Sequence, residues 1–247
     1  MAPCIIYRSG CDDTIEPSRS RLGERRTGLH RHGSDCQAGW LRALFSYHSL
    51  WTTPCIEVER ARQVAAVLGV GNHLVMNLDL RAIGGSALTG PRAVPKDRPS
   101  NERNESIPIT YVPGRNLIFL SIAAAHAEVV GASLIYFGAN VLDYSGYPDC
   151  RTEFIHAFEA VVKEGTKAGM GGNPLHVKAP LLMLTKAEII QQGIKLQVPF
   201  HLTHSCYDPV GDLACGRCDS CVIRREGFAK AGVVDPIAYA TVPPNSK

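Results

Sequence analysis

Four cysteines near the C-terminus, Cys206, Cys215, Cys218 and Cys221, stand in the pattern C-x8-C-x2-C-x2-C. Zinc takes four soft ligands at the corners of a tetrahedron, and two-residue gaps in a tight turn let successive thiolates point at one centre. The run from Ala214 to Cys221 offers such a turn, with Gly216 able to adopt φ > 0 and Cys206 reaching in from the preceding loop. A disulfide pair, a redox C-x-x-C and an iron–sulfur cluster are the other chemistries open to these residues. Arg8 cuts off the short apolar run Ile5-Ile6-Tyr7, so no signal peptide is read and a thiol-reducing cytosol is expected. One Zn2+ per chain in a closed structural site is the expectation.

A second concentration of chemistry is Asp143-Tyr144-Ser145-Gly146-Tyr147-Pro148-Asp149-Cys150-Arg151, between a strand-like and a helix-like run. A planar heterocycle could stack on Tyr144 or Tyr147, with Asp143 or Asp149 accepting ring N–H groups and Arg151 meeting an anion. The plainer reading is a turn in which Asp149 caps the following helix. Cys150, near a helix start and beside Arg151, has two features that lower a thiol pKa. No base stands next to it in sequence, and a packing or substrate-lining thiol is preferred to a nucleophile. Arg115 and Lys186 are candidate partners for phosphate or carboxylate. At the other end of the chain, Ser9, Gly10, Cys11, Asp12, Asp13 and Thr14 follow a strand-like run and match in part the phosphate-cradling loop S-G-G-x-D-S, with Cys11 in place of the second glycine.

The elements that must position these residues follow from periodicity. Residues 57–68 read as an amphipathic helix with Val58, Ala61, Ala65 and Leu68 on one face. Helices are also read over 115–130, 151–167 and 222–231, with a capping box at Thr185 and Glu188 opening another. Strands are read over 4–7, 43–48, 73–78, 133–137 and 176–181. Alternation of strand and helix implies an α/β fold with a parallel sheet covered on both faces, whose ligands bind beyond the carboxyl ends of strands. Residues 84–107, rich in Gly, Pro, Ser and charge, suit a lid. The chain is expected to comprise a nucleotide-binding α/β domain over 1–200 and a zinc-binding segment with a closing helix over 201–247.

The chain has 247 residues, 45% hydrophobic and 20% charged, with a formal net charge of +3. That composition is ordinary for a soluble domain, and the charge is too small to argue for nucleic acid. No run approaches the roughly 18 apolar residues of a membrane span. A cytoplasmic protein with small-molecule substrates, no membrane partner and no nucleic-acid partner is expected.

Taken in order, Tyr111-Val112-Pro113-Gly114-Arg115-Asn116, Phe119-Leu120, Ser145 to Arg151, Lys186-Ala187-Glu188 and the four cysteines resemble the 7-cyano-7-deazaguanine synthase family of queuosine precursor biosynthesis. The resemblance starts at Glu57 and covers about three quarters of the chain. It implies a Rossmann-like, adenine-nucleotide α-hydrolase-like sheet with a zinc segment, and commonly a homodimer. It also implies an ATP-dependent carbon–nitrogen ligase that converts 7-carboxy-7-deazaguanine and ammonia into the nitrile preQ0, with Mg2+ accompanying ATP. On that basis residues 9–14 would hold the phosphates. Asp143, Tyr147, Asp149, Cys150 and Arg151 would hold the deazaguanine, and Arg115, Asp143 and Lys186 would serve catalysis.

Residues 15–55 depart from that pattern. Arg19, Arg21, Arg25, Arg26 and Arg31 stand where an apolar helix is expected. The abrupt loss of periodicity is read as a reading-frame slip in the coding sequence, with a decayed copy as the alternative. Three other readings remain open: another ATP-pyrophosphatase-type tRNA-modifying enzyme with a reactive cysteine, a zinc knuckle binding nucleic acid through Arg217, Arg224 and Arg225, and an inactive relative with a degraded ATP site.

Overall fold

The computed structural model describes residues 5–9, 40–46, 56–99, 103, 106–141 and 147–241. Its elements are β1 (Ile5–Ser9), β2 (Trp40–Ser46), α1 (Ile56–Val67), β3 (Asn72–Asn77), α2 (Arg115–Val130), β4 (Ala132–Phe137), α3 (Thr152–Gly165), α4 (Lys167–Met170), β5 (His176–Lys178), α5 (Lys186–Lys195) and α6 (Asp219–Lys230).

Helix α2 has the sequence-read bounds because both ends carry glycine in the left-handed region. Gly114 has φ +63 before it, and Gly131 has φ +68 after it. The Gly131 N–H closes the helix by donating to the carbonyls of Ala127 and Glu128, and β4 starts at the next residue. Phe119, Leu120, Ala123 and Ala127 of α2 are fully buried, in one cluster with Ile135 and Phe137 of β4. Burying a Phe or Leu side chain is worth about 1.5–3 kcal/mol, so this seam dominates the core. Ile155, Phe158 and Val162 of α3 join it at helical spacing, as does Val177 of β5.

The sheet order is β3-β2-β1-β4-β5. It is α/β as expected but not parallel throughout: β2–β3 and β4–β5 are parallel pairs, while β1 runs antiparallel to both β2 and β4. A five-residue strand carries no directional signal of its own, and antiparallel ladders are slightly the more stable. In this register Ile5 lies opposite Phe137 and Ser9 opposite Ala132.

Smaller differences have local causes. Helix α1 buries only Ala65, and Leu68 lies past its end and is exposed, so its apolar face is narrower than the periodicity implies. The helix read over 151–167 breaks at Thr166, whose hydroxyl accepts the Gly169 N–H and starts α4. Helix α6 begins at Asp219, inside the cysteine run and three residues earlier than read. The segment expected to be a lid is anchored at its start: Ser86, Ala87, Leu88 and Thr89 are buried, and the Ala87 N–H donates to the Ile109 carbonyl at 2.8 Å. Among the described residues no helix is long and apolar enough to cross a membrane.

Helices α5 and α6 approach closely at Gly227, where an added Cβ would lie 2.3 Å from Lys186 Cγ and 3.1 Å from Ile190 Cδ1. Overpacking of this kind costs about 1–3 kcal/mol. Gly227→Val is expected to lower stability by that amount in denaturant unfolding and to displace Lys186.

Candidate active site and metal centre

The pocket opens beyond the carboxyl end of β4, where Phe137, Gly138, Ala139 and Asn140 form its floor. This is where an α/β sheet offers strand-end backbone to a ligand. The empty volume, about 680 Å3 including the mouth, suits a purine-sized heterocycle with room beside it.

Two helix starts bring cations to it. Arg115 and Asn116 line the pocket from the first turn of α2, and Lys186 from that of α5. The α5 start is pinned by the capping box. The Thr185 hydroxyl accepts the Glu188 N–H at 3.3 Å, and the Glu188 carboxylate accepts the Thr185 N–H at 2.7 Å. From the floor, Asn140 Nδ2 donates to the carbonyls of Leu181 and Leu184 and fixes the approach to α5.

The 3-10 turn Pro148–Cys150 forms a further wall, with Tyr147 and Cys150 on the pocket. Asp149 is buried and does not line it. Nor does it cap its own helix: its carboxylate accepts the Asn116 N–H at 3.0 Å, satisfying an orphan donor at the start of α2, where Gly114 has no side chain to offer. Asn116 returns the contact, Nδ2 donating to the Asp149 carbonyl and to Cys150 Sγ, both at 3.2 Å. Burial, with the Asp149 charge adding to it, pushes the Cys150 thiol up to about 11. It is protonated at neutral pH and inert as a nucleophile. Tyr147 is likewise raised by burial; its hydroxyl lies 3.4 Å from that of Thr110, and its ring packs at 5.6 Å from that of Tyr111. Arg151 is exposed, donates to the Pro148 carbonyl at 3.2 Å, and does not line the pocket.

The remaining wall comes from the cysteine segment. Tyr207, next to Cys206, and Ser220, Ile223 and Arg224 of α6 face the pocket. Arg224 is buried and held on several sides: Nε and Nη2 donate to the two Asp235 oxygens at 2.7 and 2.9 Å, and Nη1 to the Thr203 hydroxyl at 2.7 Å. Tyr239 adds its hydroxyl to Asp235 at 2.6 Å.

Behind that wall the sulfurs of Cys206, Cys215, Cys218 and Cys221 all lie within 4.8 Å of one another. Cys206 to Cys218 and Cys215 to Cys221 are each 4.0 Å. A disulfide needs about 2.05 Å, which excludes it. Tetrahedral metal–sulfur bonds of about 2.3 Å give edges of about 3.8 Å, which fits. Backbone N–H groups of Asp208 and Cys215 point at Cys206 Sγ, and those of Arg217 and Cys218 at Cys215 Sγ, at 3.2–3.4 Å. Gly216, at φ +79, is obligatory here, since a Cβ would meet the Thr241 carbonyl oxygen at 2.0 Å. Left to themselves the thiols share protons. Cys218 is drawn down by hydrogen bonds from its neighbours, while Cys206 is pushed up to about 12 by the contact with Cys218, and Cys221 is raised as well. Four close thiols can therefore all ionise only around a cation.

Of the residues singled out in the sequence, the structure brings Arg115, Tyr147, Cys150 and Lys186 to one pocket and the four cysteines to one centre. Ser9 lies beside the start of β4, at the opposite end from the pocket. Gly10, Cys11, Asp12, Asp13, Thr14 and Asp143 fall outside the described residues, as does most of 15–55. Asn116, Asn140, Tyr207 and Arg224 were not singled out as pocket residues; of these only Asn116 stood in a quoted motif. Iodoacetamide at pH 8 is expected to leave Cys150 unmodified in the folded protein and to label it after denaturation, as peptide mass mapping would show.

The model of the family described as "Queuosine biosynthesis protein QueC" matches residues 43–232. The likeness therefore starts before Glu57. A 7-cyano-7-deazaguanine synthase of Myxococcus xanthus is 58% identical over 185 residues, 74% of this chain and 80% of that protein. One of Anaeromyxobacter dehalogenans is 56% identical over 74% of this chain and 79% of its own length. A third, of Syntrophotalea carbinolica, is 49% identical over 96% of this chain and 95% of its own, a span that takes in most of residues 15–55. With more than half the chain matched and relatives of this identity covered over most of their length, the chain belongs to the QueC family of queuosine biosynthesis proteins.

Proposed function

We propose that this chain is an ATP-dependent ligase that converts 7-carboxy-7-deazaguanine and ammonia to 7-cyano-7-deazaguanine. The observation that carries the reading is the pocket at the end of β4, in a chain whose relatives are named for that product. It combines an aromatic wall, two cationic helix starts and a closed side. A carboxylate is a poor electrophile until its oxygen becomes a leaving group. ATP supplies that group, ammonia displaces it to give the amide, and a second activation removes the amide oxygen to leave the nitrile. Tyr147 and Tyr207 would hold the planar ring, and Arg115 and Lys186 would meet the carboxylate and the transferred phosphorus group. Holding both reactants in one pocket replaces a bimolecular encounter with an oriented one. Asp143, beside this pocket in sequence, belongs to the proposal as a substrate contact; Asp149 and Arg151 would act through the turn they stabilise. Zn2+ would be held by the four cysteines, fixing the wall that carries Tyr207 and Arg224. Through the resemblance the proposal extends to Mg2+ with ATP and to a cytoplasmic homodimer.

The phosphate role of Ser9 to Thr14 rests on their likeness to S-G-G-x-D-S. It requires Ser9 at the pocket end of the sheet, hence β1 parallel to β4, and so is incompatible with the antiparallel register. Ser9→Ala and Asp13→Ala decide between them. If the loop holds the phosphates, each weakens ATP binding at least tenfold; unchanged binding removes the loop from the site. Translating the coding sequence across residues 15–55 in its other frames should likewise yield an apolar helix, and finding none would discard the frame slip.

Two rivals lose support from the geometry. Arg217 is paired with Asp97, Arg224 is buried on Asp235, and Arg225 lies over the Tyr239 ring, so a knuckle gripping nucleic acid through them would first have to break those contacts. A tRNA-modifying enzyme with a reactive cysteine is ill served by the raised Cys150. Incubation with 7-carboxy-7-deazaguanine, ammonium, Mg2+ and ATP should give preQ0 by mass spectrometry, and Cys150→Ala should retain turnover. No product from zinc-loaded protein would overturn the proposal in favour of an inactive relative.

A further inference from the structure

Asn116 stands on the pocket with one polar atom of its side chain unspent. The residue is 4% exposed and lines the cavity from the first turn of α2. Its backbone N–H goes to the Asp149 carboxylate at 3.0 Å, and Nδ2 donates to the Asp149 carbonyl and to Cys150 Sγ, each at 3.2 Å. A carbonyl can only accept, so the Asp149 contact settles which end of the amide is nitrogen and turns Oδ1 the other way. Among the described residues nothing donates to that buried oxygen. Buried acceptors are nearly always paired, because leaving one bare forfeits its hydration for no return. Cys150 lines the same cavity, so the amide is held at its edge.

We propose that Asn116 is a specificity-determining contact, whose Oδ1 accepts an N–H from the 2-amino-4-oxo edge of the deazaguanine ring. This rests on the proposed ligase reading of the pocket. Carboxylate and phosphate groups would set oxygen against oxygen there and are repelled. Donors are carried by the ring edge of the deazaguanine, by the adenine amine of ATP and by ammonia. Position favours the first: Asn116 is hydrogen-bonded to the turn Pro148–Cys150, which directly follows Tyr147, the residue assigned to hold the ring. An acceptor fixed in this way rewards a ring that brings a donor and is left bare by one that does not, which is a stronger filter than apolar fit. Asp149 then acts as a positioning residue, holding both the backbone and the amide of Asn116 in place.

The test is a cycle of two proteins and three ligands, read by calorimetric titration of the full chain. Binding of 7-carboxy-7-deazaguanine to the unaltered protein comes first; none at all removes the ligase reading and this inference with it. Two analogues then each delete one donor without adding bulk: the hypoxanthine form, which lacks the exocyclic amine, and the 2-aminopurine form, which lacks the lactam N–H. The analogue missing the donor that Oδ1 accepts should bind the unaltered protein about tenfold or more weakly than the parent. In Asn116→Ala that penalty should vanish, the analogue and the parent binding alike. If Asn116→Ala folds poorly, Asn116→Leu carries the same comparison. A purely structural Asn116 would weaken all three ligands together and leave both penalties intact, which overturns the inference. Intact penalties accompanied by a loss of ATP affinity also overturn it, because the oxygen would then serve the adenine amine.

Discussion

Four thiols packed within 4.8 Å are the constraint on which the C-terminal third of the molecule depends. They are buried, they exclude a disulfide by distance, and they cannot all be charged without a cation at their centre. Structural zinc supplies about 10–16 kcal/mol, an amount comparable with the whole stability of a typical domain. That energy would fix a segment with little apolar core of its own, since its cluster holds the four cysteines and Ala214. The segment 235–241 closes over it, with the Ala240 N–H donating to the Ala214 carbonyl at 2.8 Å and Asp235 clamping Arg224.

From that centre short covalent paths lead to the pocket. Tyr207 is one residue from Cys206, and Ser220 is one residue from Cys221; both line the cavity. The opposite side is held by different physics. There the seam of α2 on β4 is apolar and fully buried, and the start of α2 is satisfied by a carboxylate borrowed from the turn at Asp149. One wall is thus set by hydrophobic packing and another by the cysteine segment, and Arg115 and Lys186 reach the pocket from helix starts.

How much of this was legible in the sequence depended on how local the cause was. The cysteine spacing, the glycines bounding α2 and the capping box of α5 are all signals carried within a few residues, and each had its structural counterpart. The direction of β1 was not legible, because a short apolar strand pairs either way. The Asp149 carboxylate reads as a cap for the helix that follows it, yet it serves a helix start 33 residues earlier. Arg224 reads as an exposed cation in a knuckle, but its partners Thr203 and Asp235 lie 21 and 11 residues away. Ser86 to Thr89 read as part of a lid because the segment is rich in Gly, Pro, Ser and charge; they are buried, and the Ala87 N–H donates to the Ile109 carbonyl, a contact that composition does not show.

The central claim is that the metal centre builds one wall of the substrate pocket rather than taking part in the reaction. Calorimetric titration of 7-carboxy-7-deazaguanine into zinc-loaded, chelator-stripped and zinc-restored protein tests it most directly, with circular dichroism confirming that the sheet survives stripping. The account predicts that binding is lost with the metal and returns with it; equal affinity in the stripped, metal-free protein would contradict it.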